Sequence, residues 1–207
     1  MKIYPSMLSA NFCCLGSELM ELSDADGIHW DIMDGRFVDN ITFGADIVAA
    51  HREITPLLFD VHLMVEEPAK HIKSFADAGA DIITVHVEST NHIHKALHQI
   101  KNLGKKSCIA INPGTSPDFI RYLDPEIIDA VLVMTVNPGY KGQKFLPSQV
   151  AKIAEIKSFF AGDIGVDGGI NDETILECQG ATYAIAGSYV FNQGDYSEAI
   201  DILRQSI

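Results

Sequence analysis

Residues 78–87 read AGADIITVHV and carry the pattern that decides the fold: a helix-ending glycine followed, after two intervening residues, by a run of β-branched residues. Glycine just past a helix end supplies a left-handed cap. The same change from helical spacing to a β-rich run recurs at Gly27, Gly104 and Gly180. Counted from Gly27, the four glycines lie 52, 25 and 76 residues apart, close to two, one and three copies of a unit of about 25 residues. Six units, with one before and one after, predict eight strand–helix modules.

Apolar runs of strand length fill these modules, and we expect strands at residues 3–10, 27–33, 57–64, 81–87, 107–112, 130–136, 165–166 and 182–186. Helical spacing between them predicts buried faces at Ile93, Ala96, Leu97, Ile100 and Leu103, at Val150, Ile153 and Ile156, and at Ile200, Leu203 and Ile207. Alternating strands and helices require a parallel sheet covered by helices. The sequence predicts an α/β protein, a single-domain (β/α)₈ TIM barrel over residues 1–207 with eight parallel strands. A doubly wound open sheet is the alternative, because periodicity does not reveal closure.

The composition is that of an ordinary globular protein, with 47% hydrophobic and 21% charged residues. The 15 basic and 28 acidic side chains give a net charge of −13, which repels phosphate backbones and anionic lipid. We therefore expect neither nucleic acid nor membrane as a partner. No apolar run approaches the roughly 20 residues that span a bilayer, and the first residues lack a signal-peptide stretch. The sequence predicts a cytoplasmic protein.

The four cysteines lack the C-x-x-C spacing of redox and zinc motifs. They lie mostly in apolar stretches, so we interpret them as structural thiols of a reducing compartment. They are Cys13, Cys14, Cys108 and Cys178.

Two predicted strands carry pairs of ionisable residues near their carboxyl ends. His29 and Asp31 are two residues apart on one strand, and Asp60 and His62 are two apart on the next. Because side chains alternate along a strand, each pair shares one face, and at the mouth of a barrel these faces converge. Asp167 follows the seventh strand. Two imidazoles and two carboxylates could hold a divalent cation with open positions for a substrate; a buried hydrogen-bonded network without metal is the alternative.

His86 and Glu88 form a similar pair, which we interpret as core residues or as support for the site from outside the ligand set. The remaining histidines lie in or beside helical stretches, and we expect them at the surface. They are His51, His71, His92, His94 and His98.

Three glycine-bearing turns follow the last predicted strands, at residues 137–143 (NPGYKGQ), 167–169 (DGG) and 186–188 (AGS). Backbone amides freed by glycine bind phosphate oxygens, and barrel enzymes often build a phosphate site after strands seven and eight. Lys141 adds a local cation to the first turn. The three turns together predict a phosphate-binding site.

These motifs together resemble the ribulose-phosphate 3-epimerase family over nearly the whole chain. The matching stretches are PSMLSA (5–10), HWDIMDG (29–35), DVHLM (60–64), VMTVNPG (133–139), VDGG (166–169) and the pair at 187–188. The resemblance implies a (β/α)₈ barrel that interconverts D-ribulose 5-phosphate and D-xylulose 5-phosphate in the pentose phosphate pathway of carbohydrate metabolism. We also expect a small-molecule sugar phosphate as substrate and a homo-oligomer.

The resemblance also implies roles for individual residues. His29, Asp31, His62 and Asp167 would bind one divalent metal, for which Zn²⁺ is the expected ion and Fe²⁺, Mn²⁺ and Co²⁺ are alternatives. Asp31 and Asp167 would be the acid–base pair. The implied substrate-binding residues are Ser6, Met33, His62, Met64, Met134, Gly139, Tyr140, Lys141, Gly142, Asp167, Gly168, Gly169, Gly187 and Ser188.

The implied chemistry explains why these residue types are needed. Epimerisation beside a ketone removes a weakly acidic C–H proton, and a cation near the oxygens stabilises the enediolate that forms. Returning the proton to the other face requires a second carboxylate, so that one acid is ionised while its partner is protonated. Polarisable thioethers suit a place against the enediolate, and simple core filling is their alternative role.

Four positions depart from the family pattern. Arg36 stands where His is common, Asp39 replaces a Pro, Lys141 replaces a Gly, and Gly165 stands where an acid is frequent. Because none of them is an implied metal ligand, they bear on the substrate instead. D-allulose 6-phosphate is therefore the alternative substrate.

Two other activities compete with the epimerase. Related barrels decarboxylate sugar or nucleotide phosphates with an Asp-x-Lys-x-x-Asp motif, but here His62 takes the place of the Lys and Val65 that of the last Asp. A non-catalytic phosphosugar-binding barrel is the second alternative. A binder has no need for an opposed acid and base, so Asp31 and Asp167 argue against it.

Overall fold

Eight parallel strands form one sheet in the computed structural model, which describes residues 1–206. The strands are β1 (Lys2–Pro5), β2 (Ile28–Met33), β3 (Phe59–Met64), β4 (Ile82–His86), β5 (Lys106–Ile111), β6 (Ala130–Met134), β7 (Asp163–Asp167) and β8 (Tyr183–Ala186). They are hydrogen-bonded in the order β1-β8-β7-β6-β5-β4-β3-β2. A parallel bridge between Ser6 and His29 joins the two ends of this order, so the barrel is nearly closed. The predicted single-domain (β/α)₈ barrel is confirmed; its extension to Ile207 stays a prediction, because that residue lies outside the described part.

Helices cover the outside of the barrel: α1 (Leu15–Met20), α2 (Ala45–Arg52), α3 (Ile72–Asp77), α4 (Ile93–Asn102), α5 (Val150–Lys157), α6 (Ser188–Phe191) and α7 (Tyr196–Gln205). After β5 and β7 the chain forms 3₁₀ turns at Pro117–Tyr122 and Thr174–Glu177 instead. The predicted buried faces of α4, α5 and α7 are confirmed except at their ends. Leu103 caps α4, Val150 is half-buried, and Ile207 is not described.

Two strands differ most from their predicted bounds. β1 ends at Pro5 and not at residue 10, because Met7–Ser9 form a 3₁₀ turn. The Ser6 hydroxyl caps this turn by accepting a hydrogen bond from the Leu8 N–H. β7 runs over Asp163–Asp167 and not only 165–166. Gly165 has a low strand propensity, but pairing with β6 and β8 on both sides keeps it in the strand.

Three of the four helix-ending glycines have the left-handed backbone that the pattern predicts. Gly79, Gly104 and Gly180 have φ angles of 96°, 72° and 98°. Gly27 does not adopt positive φ, so the prediction is wrong there. A Cβ atom on Gly27 would lie 3.1 Å from the Tyr4 ring, so close packing accounts for this glycine.

The core has two main parts and a third, small cluster of Leu8, Met33, Val38 and Met64. The larger part lies between the strands and the helices and contains Trp30 and Phe59. The smaller part lies inside the barrel, where the rings of Tyr4 and Tyr183 stack with centroids 5.1 Å apart. Cys108 and Cys178 are buried, as expected of structural thiols, whereas Cys13 and Cys14 are exposed. Within residues 1–206, no helix has the length and hydropathy required to cross a membrane.

Candidate active site

The four residues of the predicted metal set converge at the carboxyl end of the barrel. His29 and Asp31 lie on β2, His62 lies on β3 in register with Asp31, and Asp167 ends β7. One donor atom from each residue lies within 4.8 Å of all the others. Both imidazoles are fully buried, Asp31 is 5% exposed, and the Asp167 side chain is 16% exposed. The alternation of side chains along the strands is what aims all four groups inward.

The spacing of the donor atoms suits a small cation. His29 Nε2, His62 Nδ1 and Asp31 Oδ1 form a triangle whose three sides are each 3.3 Å. Asp167 Oδ2 lies 3.8 Å from His29 Nε2 and 3.7 Å from His62 Nδ1. Ligand atoms about 2.0–2.1 Å from a tetrahedral centre lie about 3.3 Å apart, so the triangle matches one face of such a centre. The buried His/Asp cluster could therefore bind a metal.

Hydrogen bonds around His29 turn one of its nitrogens toward the cluster. Its Nδ1 lies 2.8 Å from Asp60 Oδ2, and the Thr84 hydroxyl donates to Asp60 Oδ1 at 2.9 Å. A neutral His29 therefore donates from Nδ1 to the carboxylate and presents the Nε2 lone pair to the other donor atoms. Ser6 donates a 2.5 Å hydrogen bond to Asp31 Oδ2, which leaves Oδ1 for the cluster.

The two carboxylates have opposite pKa shifts in the protein without a cation. Burial alone raises the pKa of Asp31, but the adjacent His29 and His62 imidazoles hold it well below its usual range. Burial and the neighbouring Asp31 charge raise the pKa of Asp167 to about 7. For His29, burial alone lowers the pKa, but Asp31 and Asp60 raise it well above its usual value. Pairs of carboxyl groups whose pKa values are driven apart are typical of acid–base sites.

A cavity of about 340 Å³ opens above the cluster. Asp31 and Asp167 reach its floor, and every predicted substrate-binding residue except His62 lines it. His62 is fully buried beneath, among the cluster. The lining residues that were predicted are Ser6, Met33, Met64, Met134, Gly139, Tyr140, Lys141, Gly142, Asp167, Gly168, Gly169, Gly187 and Ser188.

The sequence model of the Ribulose-phosphate 3 epimerase family matches residues 2–191 of the chain. The chain belongs to the ribulose-phosphate 3-epimerase family. It is 46% identical over 217 residues to ribulose-phosphate 3-epimerase of Bacillus subtilis, with 99% of each protein covered. It is also 46% identical over 216 residues to the chloroplastic ribulose-5-phosphate-3-epimerase of Arabidopsis thaliana, covering 99% of this chain and 76% of that one. The predicted class, an isomerase of carbohydrate metabolism, is confirmed.

Solved structures of more distant proteins share the barrel. The chain superposes on 3-hexulose-6-phosphate synthase from Salmonella typhimurium with a TM-score of 0.76 at 19% identity, covering 100% of this chain and 98% of that one. The 3-keto-L-gulonate-6-phosphate decarboxylase from Vibrio cholerae gives a TM-score of 0.72 at 16% identity, covering 99% and 96%. At these identities the likeness concerns the fold alone.

The four departures from the family pattern lie in different surroundings. Lys141 lines the cavity, whereas Arg36 does not and instead pairs with Glu66 at 2.8 Å on the surface. Asp39 is exposed. Gly165 lies beneath the Tyr183 ring, whose nearest atom would be 2.2 Å from an added Cβ. Of the four, Lys141 alone therefore lines the cavity above the cluster.

Sequence reasoning missed part of the cavity wall. Asn171 follows the predicted DGG turn in the same loop, and Asn192 and Gln193 lie just after α6. Ser9 lies beside Gly187, and Gln143 ends the first glycine turn. Polar side chains in loops carry no periodic signal, and only their closeness to the glycine turns could have pointed to them.

Proposed function

We propose that the protein interconverts D-ribulose 5-phosphate and D-xylulose 5-phosphate by removing a proton from C3 and returning it to the opposite face. The observation that carries the proposal is the family membership combined with two carboxylates on the cavity floor. Asp31 and Asp167 come from β2 and β7, which stand three positions apart around the eight-stranded order. Two acids that reach one cavity from separate strands suit a reaction that needs proton transfer on both faces of a carbon.

In this proposal the two carboxylates exchange roles with the direction of the reaction. One is ionised and accepts the C3 proton, while its protonated partner donates a proton from the other side. In the protein without a cation the pKa of Asp31 lies below its usual range and that of Asp167 is raised to about 7, so the surroundings already give the two carboxyl groups different affinities for a proton. The intermediate between the two transfers is an enediolate, whose negative charge needs stabilisation.

We propose that His29, Asp31, His62 and Asp167 hold one divalent cation, with Zn²⁺ as the expected ion. The cation would supply positive charge beside the ketone and hydroxyl oxygens of the substrate. The 3.3 Å triangle of donor atoms favours a small ion with tetrahedral preference, and Fe²⁺, Mn²⁺ and Co²⁺ suit the same ligand types.

The methionines would shield the reacting carbons from water. Met33 and Met64 are neighbours in the β2–β3 register, and Met134 is paired with Asp167 between β6 and β7. All three are at least 96% buried, yet they reach the cavity. A polarisable, apolar wall next to the two carboxylates excludes solvent without adding a competing proton donor.

The glycine turns would bind the phosphate. Gly142 faces Ser188 across the cavity, with 3.9 Å between a Cβ built on the glycine and the Ser188 hydroxyl oxygen. Gly168 and Gly169 in the second turn both have positive φ and line the same cavity. Amides from these turns and the Lys141 ammonium would supply the positive potential that an acidic protein otherwise lacks.

Coupled assays of purified protein test the substrate. We expect turnover of D-ribulose 5-phosphate to exceed that of D-allulose 6-phosphate, and the reverse order would support the six-carbon alternative. Elemental analysis tests the cation: His62→Ala should lose metal and activity together, while the exposed His94→Ala should keep both. Metal-free wild-type protein that stays active in chelator would contradict the cation. The homo-oligomeric state and the cytoplasmic location stay predictions.

A further inference from the structure

A chain of hydrogen bonds leads from His62 to the backbone of the loop after β5. His62 Nε2 lies 2.8 Å from His86 Nε2, and His86 Nδ1 lies 3.2 Å from Glu88 Oε2. The other carboxylate oxygen, Glu88 Oε1, accepts a 2.9 Å hydrogen bond from the Asn112 N–H and another from the Thr115 hydroxyl. These hydrogen bonds therefore connect the candidate cation site to the backbone amide of Asn112, in the loop after β5.

The ionised Glu88 carboxylate sets the direction of every hydrogen bond in this series, and the Asn112 N–H holds its other oxygen in place. The Asn112 N–H can only donate, and an ionised Glu88 can only accept. His86 must then donate from Nδ1 to Glu88, which leaves its Nε2 as an acceptor. His62 in turn must donate from Nε2, so its Nδ1 carries a lone pair that faces Asp31, Asp167 and His29.

We propose that His86 and Glu88 are positioning residues that hold His62 in its Nε2–H tautomer and so keep Nδ1 free to bind the cation. The inference rests on the cation site of the proposed function and deepens it. His29 needs the opposite arrangement, in which Nδ1–H donates to Asp60 Oδ2 and Nε2 faces the cluster. Two imidazoles that present different nitrogens require two separate carboxylates, and Asp60 and Glu88 meet that requirement.

Packing prevents His86 from relaxing into another arrangement. His62 and His86 are both fully buried, and their rings lie within 22° of parallel. The Phe37 ring covers His86 with centroids 4.8 Å apart. His86 therefore cannot move its ring into solvent to find other hydrogen-bond partners. The nitrogen that carries its proton is set by Glu88.

Glu88→Gln is the sharpest test, because it changes proton positions with little change in shape. The Asn112 N–H would retain the amide oxygen of the new side chain, which turns its NH₂ group toward His86 Nδ1. His86 would then accept at Nδ1 and donate from Nε2, and His62 would be driven to carry its proton on Nδ1. That proton occupies the lone pair needed by the cation.

The measurement is competition between Zn²⁺-loaded full-length protein and a chelator of known affinity. We expect Glu88→Gln to weaken Zn²⁺ binding by about tenfold or more, the range found for residues that orient metal-binding histidines. Glu66→Gln is the matched control, because Glu66 lines the same 330 Å³ surface cavity as Glu88 and the variant removes the same charge. We expect the control to change the Zn²⁺ affinity by less than about threefold, because the Glu66 carboxylate forms an ion pair with Arg36 on the surface and neither an ion pair nor a hydrogen bond with His62 or His86.

Nitrogen NMR of the Zn²⁺-loaded wild-type protein tests the tautomers without any variant. We expect protons on Nε2 of His62 and on Nδ1 of His86. A proton on Nε2 of His86, or equal loss of affinity in the two variants, would overturn the inference. Unchanged Zn²⁺ affinity in Glu88→Gln would overturn it as well while leaving the cation site intact. Wild-type protein that binds no Zn²⁺, Fe²⁺, Mn²⁺ or Co²⁺ would instead remove the proposed cation site, and with it this inference.

Discussion

Asp31 and Asp167 carry the same functional group in different surroundings. Asp31 receives a hydrogen bond from Ser6 and lies 3.3 Å from both imidazoles of the cluster, so its charged form is stabilised. Asp167 is buried beside another carboxylate, and its charged form is disfavoured. The fold thus separates the two acids by neighbours alone, which is what a site with one base and one acid requires.

Replacing either carboxylate by its amide should separate the two proton transfers. Asp167→Asn keeps an oxygen and the side-chain size but cannot exchange a proton at neutral pH. We expect net epimerisation to fall by at least about 10³-fold while solvent deuterium still enters C3 of one epimer. Asp31→Asn should show the mirror preference when the cation stays bound. NMR of each sugar phosphate in D₂O with metal-loaded variants measures both.

The exposed Asp172 supplies the matched control for this experiment. Asp172→Asn makes the same substitution in the loop after β7, outside the cluster, and should leave exchange and epimerisation unchanged. Substantial epimerisation by Asp167→Asn or Asp31→Asn would mean that a single base serves both faces. The two-carboxylate mechanism would then be wrong.

The loop at residues 139–142 is the element that should distinguish phosphorylated from free sugars. Gly142 has φ of 73° and lines the cavity, so a valine there would strain the backbone and place a branched side chain against the cavity wall. We expect Gly142→Val to lower kcat/KM for ribulose 5-phosphate about 10–100-fold more than for free ribulose, the value of one or two hydrogen bonds to a charged group.

Gly104→Val is the control for backbone strain. Gly104 has nearly the same φ, 72°, but lies after α4 with open space around it. It should lose stability by a similar amount and keep its preference for the phosphorylated sugar. Equal losses on both sugars in Gly142→Val would show that the loop does not bind phosphate.

The packing between β7 and β8 requires that residue 165 has no side chain. A Cβ on Gly165 would lie 2.2 and 2.4 Å from two carbons of the Tyr183 ring and 2.6 Å from its hydroxyl oxygen. We expect Gly165→Ala to destabilise the protein by about 1–3 kcal/mol through overpacking, measured by urea unfolding. Gly114→Ala, where an added Cβ meets nothing within 4 Å, should be close to neutral.

A double variant identifies the cause of that loss. Tyr183→Leu removes the ring that the new methyl group would meet, so Gly165→Ala should cost less in its presence, with a coupling of about 1 kcal/mol or more. Additive losses would show that the destabilisation arises elsewhere, for example from the backbone of β7.

The elements that were predicted well are those with a periodic signal. The buried face of α4 and the inward pairs on β2 and β3 follow directly from side-chain geometry. Strand ends were predicted less well, because they depend on local hydrogen bonds such as the one from the Leu8 N–H to the Ser6 hydroxyl. Gly27 looked like a helix cap, but it is explained by a tyrosine ring from another strand, which no local pattern contains.

For the candidate site, the central residues could be predicted from the sequence, but the hydrogen bonds that support them could not. Its four central residues carry polar groups at strand positions that should be apolar, so they stand out. The partner of the His86 and Glu88 pair is the Asn112 amide, 24 residues beyond Glu88, and a backbone amide has no signature in the sequence. The direction of a hydrogen-bond chain is a property of the assembled barrel.

At the scale of the whole molecule, the barrel closes at the junction between β1 and β2. The ladder there consists of the Ser6–His29 bridge, one residue of which belongs to the cluster. Just below it, Asp26 accepts the Ile3 N–H at 2.9 Å and donates its own N–H to the Ile3 carbonyl at 3.1 Å. Arg204 on α7 fixes Asp26 Oδ2 at 2.8 Å, so the last helix holds the first strand in place.

Arg204→Ala should therefore loosen the closure of the barrel. The guanidinium also donates to the Asp24 carbonyl at 2.5 Å, and both members of the Arg204–Asp26 pair are about 30% exposed. We expect a loss of about 1–2 kcal/mol, the lower part of the range for charged hydrogen bonds because solvent screens the pair. The exposed Arg36–Glu66 pair has the same 2.8 Å separation, and Arg36→Ala should cost less than about 0.5 kcal/mol.

Hydrogen exchange in the native state shows where the loss falls. In Arg204→Ala the Ile3 and Asp26 amides should exchange at least about fivefold faster, because the free energy of opening the junction is lower. Exchange of amides in the β4–β5 ladder should change only as much as the global free energy of unfolding changes. Urea unfolding of the two variants gives the total loss for comparison. Equal losses in Arg204→Ala and Arg36→Ala, or unchanged exchange at Ile3 and Asp26, would contradict a closing role for α7. A local effect would mean that α7 supports the junction between β1 and β2 at the amino-terminal end of β2.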